Sequence, residues 1–128
     1  MKLLLDTCTF LWLMNDSQEL SPKAAELFRA PEAEVYLSVA SAWELAVKFA
    51  LGKVRLPAQP EQLIPRERAS RGIKSLPIDE ESALHVSRLP ALHRDPFDRM
   101  IVSQAIVHGL TILTPDPLIR QYPARTVW

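Results

Sequence analysis

Carboxylates recur at places in this sequence where they can act together: Asp6 closing the apolar run LLLD, Glu44 in SAWELAVK, Asp95 and Asp98 in HRDPFDRM, and Asp116 in ILTPDPL. Taken singly, each has an ordinary structural reading. Asp6 ends a strand, and Glu44 completes a capping box with Ser41 or pairs with Lys48 one turn on. Asp95, just before Pro96, caps a helix whose first turn favours an acid at Asp98, and Asp116 before Pro117 caps another. Jointly they imply chemistry. Acids gathered at one rim repel one another, and a fold tolerates such a cluster mainly when a divalent cation neutralises it. Mg²⁺ and Mn²⁺ take oxygen ligands, and the chain offers Cys8 as its single cysteine with His85, His93 and His108 scattered. One or two such ions activate water and clamp phosphodiester oxygens, so the reaction class is phosphoryl hydrolysis.

The elements that must position these acids are legible from pattern. Lys2–Leu5 reads as a short strand buried on both faces, because its hydrophobicity is continuous rather than alternating. LSPKAAELFRA gives a helix capped by Ser21 with Pro22 at its first position. Glu34–Ser38 is the second strand. SVASAWELAVKFALGK is the clearest helix, with Val39, Trp43, Val47 and Ala50 at helical spacing and Gly52 as its stop. The Pro-rich, charged stretch 53–72 reads as one short helix between loops. A third strand lies around Leu76, and a helix capped by Asp79 runs to about Leu89. DPFDRMIVSQAIVHG is a helix with Phe97, Met100, Ile101 and Ala105 on one face and Gly109 as its stop; LTILT is a fourth strand, DPLIRQY a helical turn or two, and RTVW a final strand.

Alternating strands and helices predict a three-layer α/β/α architecture with a central, mainly parallel sheet of about four or five strands. In such sheets ligands bind beyond the carboxyl ends of the strands, where Asp6 and Asp116 fall and which Glu44 and Asp98 can face. The 128 residues, 48% of them hydrophobic, suit a single domain over 1–128. Lys plus Arg equals Asp plus Glu at 15 each, which excludes a uniformly basic nucleic-acid-binding surface. One cysteine excludes an intrachain disulfide framework and points to a reducing compartment, the cytoplasm. Asp6 interrupts the N-terminal apolar run and no cleavage site follows, so no leader is expected. No stretch reaches the roughly 18 apolar residues of a membrane span.

With these motifs in place, the chain resembles a PIN domain, and more narrowly the VapC ribonuclease toxins of type II toxin–antitoxin pairs. LLLDT resembles the family's opening, SAWELAVK its second acidic block, HRDPFDRMIVSQA its third and most specific, and LTILTPD its fourth, a likeness running from about residue 2 to Tyr122. By position the family's acidic tetrad falls on Asp6, Glu44, Asp98 (seven residues before Ala105) and Asp116. The resemblance implies that these four hold Mg²⁺ or Mn²⁺ and catalyse hydrolysis of RNA phosphodiesters by activated water. It further implies auxiliary roles for Thr7 or Ser38, a homodimer, a cognate antitoxin whose tail enters the active-site groove, and a larger toxin–antitoxin assembly. Asp95 is then the helix cap, while Asp98 projects to the metal.

Other residues and activities weigh less. Arg99 and His93 flank the third block within reach of a phosphate, although an arginine beside an acid is more often an ordinary ion pair. Lys48, Lys53 and Arg55, or Arg66, Arg68, Arg71 and Lys74, form basic patches suited to RNA backbone or simply to solvent. Trp12 and Trp43 read as core or interface aromatics, Leu11, Trp12 and Leu13 with Leu51 as a dimer face, and Cys8 as a buried small hydrophobe. A magnesium-dependent phosphatase of the haloacid dehalogenase type would place a second aspartate where Cys8 stands. A phospho-accepting receiver would want paired acids where Thr7 follows Asp6. A nuclease-inactive binding module on the same fold is the remaining alternative.

Overall fold

The computed structural model describes all 128 residues. At its centre lies β1 (Lys2–Leu5), flanked by β2 (Glu34–Ser38) and β4 (Thr111–Leu113), with β3 (Ile73–Leu76) and β5 (Thr126–Val127) at the edges. The order is β3-β2-β1-β4-β5, and every pairing is parallel. Six helices connect the strands: α1 (Thr7–Met14), α2 (Pro22–Arg29), α3 (Val39–Ala50), α4 (Pro60–Arg71), α5 (Glu80–His85) and α6 (Pro96–His108).

The unbroken Leu3-Leu4-Leu5 run has a simple cause. Successive side chains of a strand point to opposite faces, and here both faces are covered. Leu3 and Leu5 enter one core with Phe10 and Leu13 of α1, Ala24 of α2, Leu45 of α3 and Ile64 of α4. Leu4 enters the other, with Ile101, Val102 and Ala105 of α6, Ile119 and Tyr122. The sheet is therefore the middle layer of three. Ser21, Asp79 and Asp95 cap α2, α5 and α6 with their side chains as expected, and Gly109 ends α6 in the left-handed conformation at φ 67°.

One expectation needs correction, and one element is oriented in a way its pattern does not reveal. The segment 53–72 holds a full 12-residue helix, α4, with Pro65 inside it. Pro65 lacks the amide that would bond the Glu61 carbonyl, but the burial of Leu63 and Ile64 fixes the helix against the core around that gap. On α3 the apolar row Val39, Trp43, Val47 and Ala50 faces solvent, and the buried face is Ala40, Ser41, Glu44 and Leu45. Small side chains let α3 lie close to its neighbours, and the inward polar groups have partners described below. No helix is long and apolar enough to cross a membrane.

Candidate active site

The chain moves from β1 outward to β3, then returns to the other side of β1 to lay down β4. That reversal makes the gap beyond the ends of β1 and β4 the switch point at which an open parallel sheet leaves a crevice. Leu5 is in register with Leu113, so the next residues, Asp6 and Thr114, stand side by side. The Thr114 hydroxyl donates a short hydrogen bond to Asp6 Oδ2. Asp6 is also the N-cap of α1, its Oδ1 accepting from the Thr9 amide at 2.7 Å, while Thr9 Oγ1 ties α1 to the Leu113 carbonyl at 2.9 Å. Asp6 is only 4% exposed, and burial pushes its carboxyl upward despite these donors, with the Asp116 charge adding to the rise.

Glu44 reaches the same rim from α3 and is equally buried. The Thr7 hydroxyl lies 2.6 Å from Glu44 Oε1 and 3.0 Å from Ser41 Oγ. With one proton to give, Thr7 donates to the carboxylate and accepts from Ser41. Lys48 Nζ sits 2.6 Å from Glu44 Oε2, and this bond raises the lysine's pKa. The Lys48 partnership expected from i,i+4 spacing is thus present, but the capping box is not. Ser38 caps α3, and Ser41 lies inside it.

Asp95 accepts from the amides of Phe97 at 2.9 Å and Asp98 at 3.2 Å, which is the cap predicted for it. Asp98 turns inward from the first turn of α6. Burial and then the charges of Asp95, Glu44, Asp116 and Asp6 raise its carboxyl to about 8. Asp116 faces the rim from beyond β4, its amide held by Thr114 Oγ1 at 3.0 Å and its Oδ1 accepting from the Leu118 amide at 2.9 Å, which closes a turn rather than capping the 3-10 turn Ile119–Gln121 expected to follow it. The structure thus brings all four tetrad positions and Asp95 into one electrostatic neighbourhood. Trp43 and Phe97, stacked edge to face with centroids 4.8 Å apart, join α3 to α6 beside Glu44 and Asp98.

Two side chains expected near the acids do other work, and Cys8 is not the buried residue expected. Ser38 is fully buried, donates to Gln104 Oε1 at 2.5 Å and so joins β2 to α6. Arg99 makes no ion pair with an acid. Its guanidinium donates to the carbonyls of Pro90 at 2.8 Å and Val86 at 3.2 Å and to the Tyr122 hydroxyl at 3.0 Å, because the bend after α5 turns those oxygens toward it. Cys8 is exposed rather than buried, since α1 packs through Thr7, Thr9, Phe10 and Leu13 and leaves Cys8 on its outer face. Desolvation and then the charges of Asp6, Glu44 and Asp98 push its thiol up to about 11 from 9.0. Metal-free folded protein is accordingly expected to react with iodoacetamide at pH 8 about 10-fold or more slowly than the urea-unfolded chain, a ~100-fold loss of thiolate being partly offset by greater nucleophilicity. Alkylation followed by intact-mass spectrometry measures this; equal rates would mean that neither desolvation nor the acids act on Cys8.

The basic patches are largely engaged. Lys48 is bound to Glu44, Arg68 to the Ile73 carbonyl, Arg71 to Glu67 and the Met14 carbonyl, and Lys74 to Glu34. Leu13, placed by sequence in an outer apolar face, is core. Thr114 and Ser41 are the site residues that pattern reasoning missed; the signal for Thr114 is its place one residue past a strand, which becomes informative only once β4 is known to lie beside β1.

A divalent cation suits this donor set chemically. The inward groups are carboxylate and hydroxyl oxygens, and their mutual repulsion is answered by one lysine. No three acidic, histidine or cysteine side chains stand close enough together here to ligate one ion, and Asp6, Glu44 and Asp98 each contact a separate partner.

Comparison with known proteins agrees with this architecture. A family model described as the PIN domain matches residues 3–124. Among solved structures, the VapBC2 complex of Rickettsia felis bound to a DNA fragment from its promoter is similar with TM-score 0.74 and 18% identity, over 99% of this chain and 98% of that one. The DNA-bound VapBC of Salmonella typhimurium gives TM-score 0.66 and 20% identity over 99% and 97%. FitAcB of Neisseria gonorrhoeae gives TM-score 0.65 and 21% identity over 98% and 96%. At these identities the likeness is one of fold. No curated protein matches the chain in sequence. With the family model spanning β1 through the segment after β4, and with the acids gathered at the switch point of the sheet, the chain belongs to the PIN domain family.

Proposed function

We propose that this protein is a Mg²⁺- or Mn²⁺-dependent endoribonuclease, a VapC-like toxin, with Asp6, Glu44, Asp98 and Asp116 as its catalytic and metal-holding residues. The observation that carries this reading is the gathering of Asp6 after β1, Glu44 of α3, Asp98 of α6 and Asp116 after β4, with Asp95 capping α6, at the switch point of the sheet, a crowding that together with burial pushes the Asp98 carboxyl upward. Such a cluster holds excess negative charge at the place where an α/β sheet binds its ligand. When bound, a divalent ion supplies an activated water and a counter-charge for the phosphodiester oxygens. The chain's own residues bind and orient. Thr114 and the Thr9 amide fix Asp6, Thr7 and Lys48 fix Glu44, and the Asp95 cap fixes the main chain of Asp98. Thr7 is thereby an auxiliary residue, and Asp95 acts through Asp98. PIN domains are generally nucleases that use divalent ions, which supports the same reading.

The reading extends to partners. The similar structures are VapBC and FitAcB complexes, which supports a cognate antitoxin for this chain in the cytoplasm. The exposed stripe Val39, Trp43, Val47 and Leu51 on α3 and its C-terminal end supports a covered face, assigned here to a second copy in a homodimer. The separate partners of the carboxylates favour one other reading, a PIN-fold module that binds without cleaving. The deciding experiment incubates purified protein with mixed RNA and DNA pools in Mg²⁺, Mn²⁺ or EDTA. Cation-dependent cleavage of RNA alone is expected. Binding of cation and RNA with no cleavage would establish the inactive module instead.

A further inference from the structure

Between the last turn after α5 and the start of α6, His93 occupies a place that the metal reading does not use. Its Nδ1 lies 2.7 Å from the Tyr122 hydroxyl, and its Nε2 lies 3.4 Å from Asp98 Oδ2. Tyr122 is 3% exposed, its ring tilted against His93 with centroids 5.4 Å apart. The same hydroxyl receives Arg99 Nη1 at 3.0 Å, and Arg99 is itself anchored on the Pro90 and Val86 carbonyls.

Proton counting orders this chain. A guanidinium can only donate, so the Tyr122 oxygen accepts from Arg99 and gives its own proton to His93 Nδ1. The neutral imidazole then carries its hydrogen on Nε2, the nitrogen that faces Asp98. A ring with hydrogens on both nitrogens would leave the buried Tyr122 proton without an acceptor. From this geometry we infer that His93 is a positioning residue for Asp98: the Arg99–Tyr122 pair locks it as the Nε2–H tautomer, and that hydrogen holds Oδ2 while leaving the other carboxylate oxygen for the cation. The inference rests on the metal role of Asp98 proposed above. It also explains why a neutral donor occupies the place. With Lys48 already paired to Glu44, a second lysine or arginine at this place would neutralise Asp98 as well, whereas a neutral imidazole orients the carboxylate and leaves its charge intact. The link to Asp98 is long, so the hold is one that a small rotation tightens.

Two measurements on the full-length protein test this. Nitrogen-15 NMR of the metal-free protein, with the His93 signals assigned through His93→Gln, reads the tautomer directly. Nε2–H is expected, with loss of the single-tautomer pattern in Tyr122→Phe; an Nδ1–H ring would overturn the inference. Calorimetric titration with Mn²⁺ alone reads the consequence: His93→Ala is expected to weaken binding about 10-fold or more, and His93→Gln, whose amide restores a donor, to recover most of it. Unchanged Mn²⁺ affinity in His93→Ala, with the fold confirmed by circular dichroism, would overturn the positioning role. Failure of the wild type to bind Mn²⁺ would overturn the metal reading and this role with it, a result distinct from wild-type binding that ignores His93.

Discussion

Metal-free protein is expected to become less stable as pH rises from about 4 to about 8. Asp98 sets the sign. Its carboxyl titrates near 3.8 in the unfolded chain and near 8 in the folded one, so between those values the folded state binds the extra proton. Stability is therefore full below about 4 and falls as pH climbs through the folded value. Asp6, also raised, adds in the same direction. Asp79 is lowered by its bond to His108, but its effect is confined to acid below its ordinary 3.8 and does not touch this window. Discounted for the partial exposure of Asp98, the loss is about 1 to 2 kcal/mol, or about 3–8 °C in Tm for a chain of this size. Thermal melts in EDTA across this range measure it, and Asp98→Asn is expected to flatten most of the slope and to raise Tm at pH 8. Saturating Mn²⁺ is expected to reverse the slope for the wild type, because the cation binds the deprotonated cluster. A wild-type melt independent of pH in EDTA would mean that the acids do not crowd one another in solution.

Glu44→Gln separates catalysis from stability in the opposite way. The substitution keeps the shape and an acceptor for Thr7 but removes the charge opposite Lys48. The lysine is then left beside a neutral amide, so Tm is expected to fall slightly or stay level, since a pair with a half-exposed lysine contributes little. RNA cleavage is expected to drop about 10² to 10³-fold, the scale for losing one group that organises charge at a reacting centre. Single-turnover cleavage with excess enzyme, alongside melts of both variants, checks the contrast: Asp98→Asn more stable and inactive, Glu44→Gln no more stable and inactive. Glu44→Gln with wild-type cleavage would confine Glu44 to its structural bonds with Thr7 and Lys48.

Much of this architecture is legible in the sequence. Short-range signals carried the strands and helix ends: the unbroken leucines of β1, Ser21 before Pro22, and Asp95 three residues before Asp98. The four acids were legible as a group because strand order in a parallel sheet sends strand ends to one rim. What pattern concealed was orientation. On α3 the apolar row marks a helix without marking its inward side, and Glu44 is the buried side chain, satisfied by Thr7 and Lys48. Burying a charged group requires specific partners, and those came from α1, 37 residues away in sequence, and from the next turn. The exposure of Cys8 is concealed for a related reason: an exposed cysteine on a helix packed through threonines has no periodic signature. Thr114 became meaningful only through the β1–β4 register, and His93 only through Tyr122, 29 residues away.

The central claim is that the carboxylates at the β1–β4 switch point would hold a divalent cation for the hydrolysis of RNA by activated water. Its most direct test is cleavage of a mixed RNA pool by wild type and Asp98→Asn, each in Mn²⁺ and in EDTA. Cleavage by the wild type in Mn²⁺ only, with none from a folded Asp98→Asn protein, is the predicted result. Equal cleavage by both proteins, or cleavage that persists in EDTA, would contradict the account.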